Sequence, residues 1–147
     1  MNEESDHAIY EEIRREHDEL RVKLGLVHRM LTGRNDPVDK VAESLASLCD
    51  QLEHHFLNEE DGGFFDEVSE QAPRLTERSD EIRAEHAGLR TAIRKLKETA
   101  QDGDDSADWW SQMDKSFHQF SKDLMHHESK ENELLQDAFN EDIAAAD

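Results

Sequence analysis

One cysteine, two prolines and six glycines are spread over 147 residues. With Cys49 alone no disulfide can close within the chain, so a reducing compartment suits it and burial rather than cross-linking must hold the fold. Cys49 itself reads as a small buried hydrophobe. Few helix breakers and no β-branched runs make an all-α protein the expectation. Positive charge is scarce too: 17 Lys and Arg stand against 37 Asp and Glu, a formal net charge of −20. That excess repels polyanions and excludes nucleic acid and anionic membrane surfaces as partners. No apolar run approaches the roughly 20 residues that span a bilayer. The opening stretch MNEESDHAIYEEIRREHDE carries no apolar segment of signal-peptide type, so a soluble cytoplasmic protein is expected.

The apolar residues amount to 35%, yet they fall in strict order, and the length predicts one domain over residues 1–147. A first helix, about residues 5–31, carries Tyr10, Ile13, His17, Leu20, Leu24, Val27 and Leu31 at alternating spacings of three and four. This is the core-facing seam of a bundle helix. Asp36 as a cap and Pro37 at the first helical position open a second helix, about 37–60. Its seam is Val38, Val41, Leu45, Leu48, Leu52, His55 and Glu59. Gly62-Gly63 ends it, and Phe64, Phe65 and Val68 are expected in a short helical turn that closes one end of the bundle. A third helix, about 76–100, has the seam Ile82, His86, Leu89, Ile93 and Leu96. A fourth, about 106–139, has Trp110, Met113, Phe117, Phe120, Leu124, His127, Glu131 and Leu134.

The chain also repeats itself. Ile13-x-x-Glu16-His17-x-x-Leu20-Arg21 returns as Ile82-x-x-Glu85-His86-x-x-Leu89-Arg90, and the frame L-x-H-H-x-x-x-E occurs at 52–59 and at 124–131. Two copies of one helical hairpin pack most simply as an up-down-up-down four-helix bundle. Within each L-x-H-H-x-x-x-E frame the seam selects the second histidine. His55 and Glu59, like His127 and Glu131, then share a helix face about 6 Å apart along the axis. With His17 and His86 these six groups fall at a similar height.

A single seam histidine is ordinarily a hydrogen-bonded core residue. Two seam carboxylates are harder to explain, because an unpaired buried carboxylate costs several kcal/mol or so. A buried metal site satisfies all six groups at once. Mixed imidazole and carboxylate donors without cysteine suit iron, with manganese or zinc less favoured. Carboxylates from opposite hairpins can bridge two ions, so a dinuclear iron centre is the expected cofactor.

In their order, E-H-x-x-L-R, H-x-x-x-E, E-H-x-x-L-R and H-x-x-x-E resemble the hemerythrin-like, or HHE cation-binding, domain over essentially the whole chain. The resemblance implies a hemerythrin-like bundle with a non-haem di-iron site. Its ligands would be His17, His55 with bridging Glu59, His86, and His127 with bridging Glu131. Oxygen-carrying hemerythrins have five histidines, with H-x-x-x-H on the third helix; here the position four after His86 is Arg90. A set of four His and two Glu is more like the iron-sensing and iron-centre-repair branches.

The functional expectation is binding or sensing of dioxygen or a related small species, peroxide or nitric oxide, without assigned catalytic residues. The alternatives are a di-iron enzyme turning over peroxide or nitric oxide, and an iron store or interaction module. The ferritin-type pattern of Glu-x-x-His on paired helices is missing from the seams. Tyr10, about 10 Å from His17 along the axis, is expected in ordinary core packing. His54 and His126 are expected off the seam, and His7, His28 and His118 are expected bystanders.

Overall fold

The computed structural model describes the backbone of residues 3–146 and the side chains of residues 8–139. Four long helices account for most of it: α1 (Glu3–Gly33), α2 (Val38–Asp61), α4 (Thr76–Gln101) and α5 (Ala107–Ala146). Between α2 and α4 the chain forms the shorter α3 (Phe64–Gln71) and a 3-10 turn (Pro73–Leu75). No strand occurs among the described residues. Around the bundle, α1 packs on α2, α2 on α4, α4 on α5 and α5 on α1.

The seams explain why these helices associate. Leu20, Leu24, Val27 and Leu31 of α1 meet Val41, Leu45, Leu48 and Leu52 of α2, Leu89, Ile93 and Leu96 of α4, and Met113, Phe117, Phe120 and Leu124 of α5 in one buried cluster. Each such side chain gains roughly 1.5–3 kcal/mol by leaving water, a gain that helices so rich in charged residues need. A second cluster fills the other end: Ile13, Ile82, Leu134, Leu135 and Ala138 close on Phe64, Phe65 and Val68. Here α3 covers the bundle end, packed on α2, α4 and α5. It is a helix of eight residues, longer than the turn expected from Phe64, Phe65 and Val68.

The connections follow local chemistry. Gly63 takes φ 91° to start α3, a left-handed conformation that costs a glycine little. At Gly103 a Cβ would sit 2.6 Å from Val38 Cγ1 and 2.7 Å from Trp109, so the α4–α5 turn approaches the core too closely for a side chain. Ser106 caps α5 by accepting the Trp109 backbone N–H at 3.1 Å. The start of α2 departs from expectation. Pro37 is the cap residue itself, extended at ψ 150°, and no side-chain cap bond forms. Its carbonyl accepts the N–H groups of Lys40 and Val41, so Asp36 is not needed as a cap. Among the described residues no helix is long and apolar enough to cross a membrane.

Candidate metal centre

Between the two apolar clusters the seams turn polar. α1 contributes His17, α2 His55 and Glu59, α4 His86, and α5 His127 and Glu131, each no more than 2% exposed. Among the described residues these six form two overlapping groups. His17, His55, Glu59 and Glu131 each bring one donor atom within 4.8 Å of one another, and so do Glu59, His86, His127 and Glu131. Both carboxylates belong to both groups. Glu59 Oε1 lies 3.3 Å from His55 Nε2 and 3.4 Å from His86 Nε2. Glu131 Oε1 lies 3.4 Å from His17 Nε2 and 3.2 Å from His127 Nε2. Each carboxylate therefore reaches from one histidine pair to the other.

The other ring nitrogens decide what faces inward. His55 Nδ1 donates to Glu16 at 3.2 Å, His86 Nδ1 to Glu60 at 2.8 Å, and His127 Nδ1 to Glu85 at 2.8 Å. His17 Nδ1 lies 3.2 Å from the Asn132 amide oxygen. A carboxylate can only accept, so these bonds place the proton on Nδ1 and leave the Nε2 lone pair aimed into the bundle. All four Nε2 atoms, and all four oxygens of Glu59 and Glu131, lack a hydrogen-bond partner. Acceptors facing acceptors in a dry interior are unfavourable unless a cation or protons lie among them. The donor set, the shared carboxylates and the outer hydrogen bonds fit metal ions, which select imidazoles anchored through the second nitrogen.

Burial and mutual charge shift the inward-facing groups in opposite directions. Burial pushes the Glu59 carboxyl well above the ordinary range, and the neighbouring Glu131 charge pushes it further. Glu131 moves well below that range: burial opposes this, but Glu59, His127 and His17 all favour its ionised form. Burial works against charging His17 and His127, yet Glu131 outweighs it and raises both. His86 is lowered to about 4, mainly by burial, with Glu60 opposing.

A family model, the hemerythrin HHE cation binding domain, matches residues 8–142. The chain belongs to this hemerythrin family. Comparison with curated proteins gave no match, and comparison with solved structures gave none. Membership in a hemerythrin cation-binding family implies metal-ion binding, and the buried His and Glu groups could hold the metal.

Several residues of this hemerythrin centre escape a reading by seams. Glu16 and Glu85 precede His17 and His86 and are the Glu of both E-H-x-x-L-R copies, so their repetition is a usable signal. Each reaches across to the histidine of the next long helix. Glu60 and Asn132 follow Glu59 and Glu131, but they differ in kind and so leave no visible repeat. Charges outside stabilise this layer: Arg90 grips Glu60 with two bonds of 2.9 and 3.0 Å, and Lys130 pairs with Glu85. Glu128 is another residue the seams pass over. It is fully buried, and burial pushes its carboxyl up to about 7, with His17 and Arg21 opposing.

The remaining histidines stand apart from the six. His54 and His126 are exposed, His54 lying 3.3 Å from the Asn58 amide that also contacts Glu16. His28 and His118 are exposed and line an open groove between α1 and α5. The His7 side chain lies outside the described residues. Tyr10 packs at the edge of the second apolar cluster, with the Arg14 guanidinium 5.7 Å from its ring centre.

Proposed function

We propose that this hemerythrin-family chain holds two iron ions between His17, His55, Glu59, His86, His127 and Glu131, and that the pair binds or senses dioxygen or a related small species such as peroxide or nitric oxide. The observation that carries the reading is the sharing of Glu59 and Glu131 by two four-group clusters whose inward atoms have no hydrogen-bond partner. Glu59 and Glu131, shared between two ions, would put every one of those atoms to use. Iron follows from the mixed imidazole and carboxylate donors. Six donors, two of them shared, leave coordination positions for a small ligand.

The chain's own residues would prepare that site. Glu16, Glu60, Glu85 and Asn132 anchor the imidazoles through Nδ1, so that each Nε2 is turned toward the metal position. Leu20, Leu52, Leu89 and Leu124, all buried beside the polar layer, exclude water from one side, and Phe64 and Phe65 on α3 exclude it from the other. When bound, an iron pair supplies electrons to a small ligand. An up-down-up-down order of the long helices belongs to this reading. Contacts that fall on one helix as they rise on the next support it for α2 with α4 and for α4 with α5: Glu53 and then Glu60 with Arg94 and then His86, Arg78 and then Glu85 with Asp137 and then His127.

Metal analysis of the purified protein, with an optical spectrum before reduction, after reduction and after oxygen exposure, tests the reading. Two irons per chain are expected, with visible absorption that bleaches on reduction and returns with oxygen. A reduced, iron-loaded protein whose spectrum ignores oxygen would exclude binding or sensing of dioxygen.

A further inference from the structure

Aligning the two L-x-H-H-x-x-x-E frames pairs Glu53, Phe56 and Glu60 of α2 with Met125, Glu128 and Asn132 of α5. Spaced three and four apart, each trio forms one stripe along its helix. The two stripes meet their histidine alike: Glu60 accepts from His86 Nδ1 at 2.8 Å, and the Asn132 amide oxygen lies 3.2 Å from His17 Nδ1. They meet the arginine of the E-H-x-x-L-R motif differently.

Arg90 engages all three residues of its stripe. Its Nη1 and Nη2 donate to the two oxygens of Glu60 at 3.0 and 2.9 Å, and its Nε donates to Glu53 at 3.0 Å. Its guanidinium lies 5.3 Å from the centre of the Phe56 ring. That ring in turn stacks on His86, centroids 3.9 Å apart and planes 15° from parallel. Arg21 meets a different stripe, with Met125 in place of Glu53 and the neutral Asn132 in place of Glu60. Its ion pairs with Glu128 and Asp18 span 3.7 and 3.9 Å, beyond hydrogen-bond distance. Its side chain is 47% exposed, against 19% for Arg90.

The difference bears on the imidazoles. A planar fork that holds both oxygens of a carboxylate fixes where that carboxylate sits, and Glu60 fixes how the His86 ring is turned in its own plane. The Phe56 stack opposes tilting of that plane. We infer that Arg90 is a positioning residue for the metal centre: through Glu60 and Phe56 it locks the His86 imidazole in its ligating orientation, a restraint that Arg21 does not give His17. This rests on the two-ion reading above.

Anaerobic equilibrium dialysis of the full chain against Fe(II), with bound ions counted, tests it in wild type, Arg90→Gln, Arg90→Lys, Arg21→Gln and Glu53→Gln. Wild type is expected to take two ions. Arg90→Gln is expected to weaken one of them about tenfold or more and to leave the other nearly unchanged. Arg90→Lys, which keeps the charge without the planar fork, should recover only part of that loss. Arg21→Gln should leave both affinities as they are. So should Glu53→Gln, which weakens an ion pair of Arg90 but spares its grip on Glu60. Arg90→Gln with both affinities as in wild type overturns the inference, and so does equal weakening of both, which a loosened bundle would also produce. Full recovery by Arg90→Lys overturns it as well, as does a loss in Arg21→Gln or Glu53→Gln equal to that in Arg90→Gln. Should Arg90→Gln not fold, Arg90→Lys decides by whether it weakens one ion alone. Wild type that takes a single ion overturns the two-ion reading; the inference then stands if Arg90→Gln weakens that ion and Arg21→Gln does not, and falls otherwise. Wild type that takes none overturns both.

Discussion

Removing a shared carboxylate should empty both metal positions, whereas removing a histidine should empty one. Glu131 is fully buried and its Oε1 lies beside a histidine of each pair; His17 belongs to one cluster only. With free metal at about a hundred times the dissociation constant, each bound ion stabilises the folded chain by about 2.7 kcal/mol. Two ions then contribute about 5 kcal/mol, or roughly 10–20 °C in melting temperature for a domain of this size. Thermal unfolding followed by circular dichroism, with and without Fe(II) under anaerobic conditions, measures the difference for each protein against its own metal-free form. Wild type should show the full shift, His17→Ala about half of it, and Glu131→Gln almost none. A Glu131→Gln protein that keeps half the shift or more would refute the sharing of Glu131. Equal shifts in wild type and His17→Ala would remove His17 from the ligand set.

Other perturbations separate packing from ligation. Glu85→Gln should weaken metal binding about 10–100-fold through the loosened His127 ring, with helical content unchanged, as read by dialysis and circular dichroism. Phe56→Ala should destabilise the metal-free protein by about 3–5 kcal/mol in denaturant unfolding, since a fully buried ring is lost. Glu16, Glu60 and Glu85 are each held below the ordinary carboxylate range: burial opposes this, but His55 outweighs it for Glu16, Arg90 and His86 for Glu60, and Lys130 and His127 for Glu85. Their folded values lie below the unfolded ones, so their contribution is present above about pH 4.5 and is lost as pH falls through the lowered values. An acid titration of the metal-free protein should show that loss, and Glu85→Gln should make it shallower.

Much of this architecture can be read from spacing. Alternation by three and four selects His55 over His54 and His127 over His126, and in each pair the selected residue is buried and its neighbour exposed. The same alternation identifies the leucines that enclose the polar layer. What spacing does not carry is which helices touch. Glu16 meets His55, and Glu60 meets His86, only because α1 lies on α2 and α2 on α4. A seam is also a line, while a buried helix face is a stripe. Glu128 sits one residue off the line, inside the stripe facing α1, and so reads as surface although it is enclosed. Pro37 stands one residue outside its expected place because a proline suits either side of a helix start, and the chain uses its carbonyl rather than Asp36 to begin α2.

Crystals of iron-loaded protein, measured at the iron absorption edge, address the central claim most directly. Two anomalous peaks inside the bundle are predicted, one beside His17 and His55 and one beside His86 and His127, each in contact with both Glu59 and Glu131. A single peak, or peaks confined to the acidic surface with the six side chains joined only to one another, would contradict it.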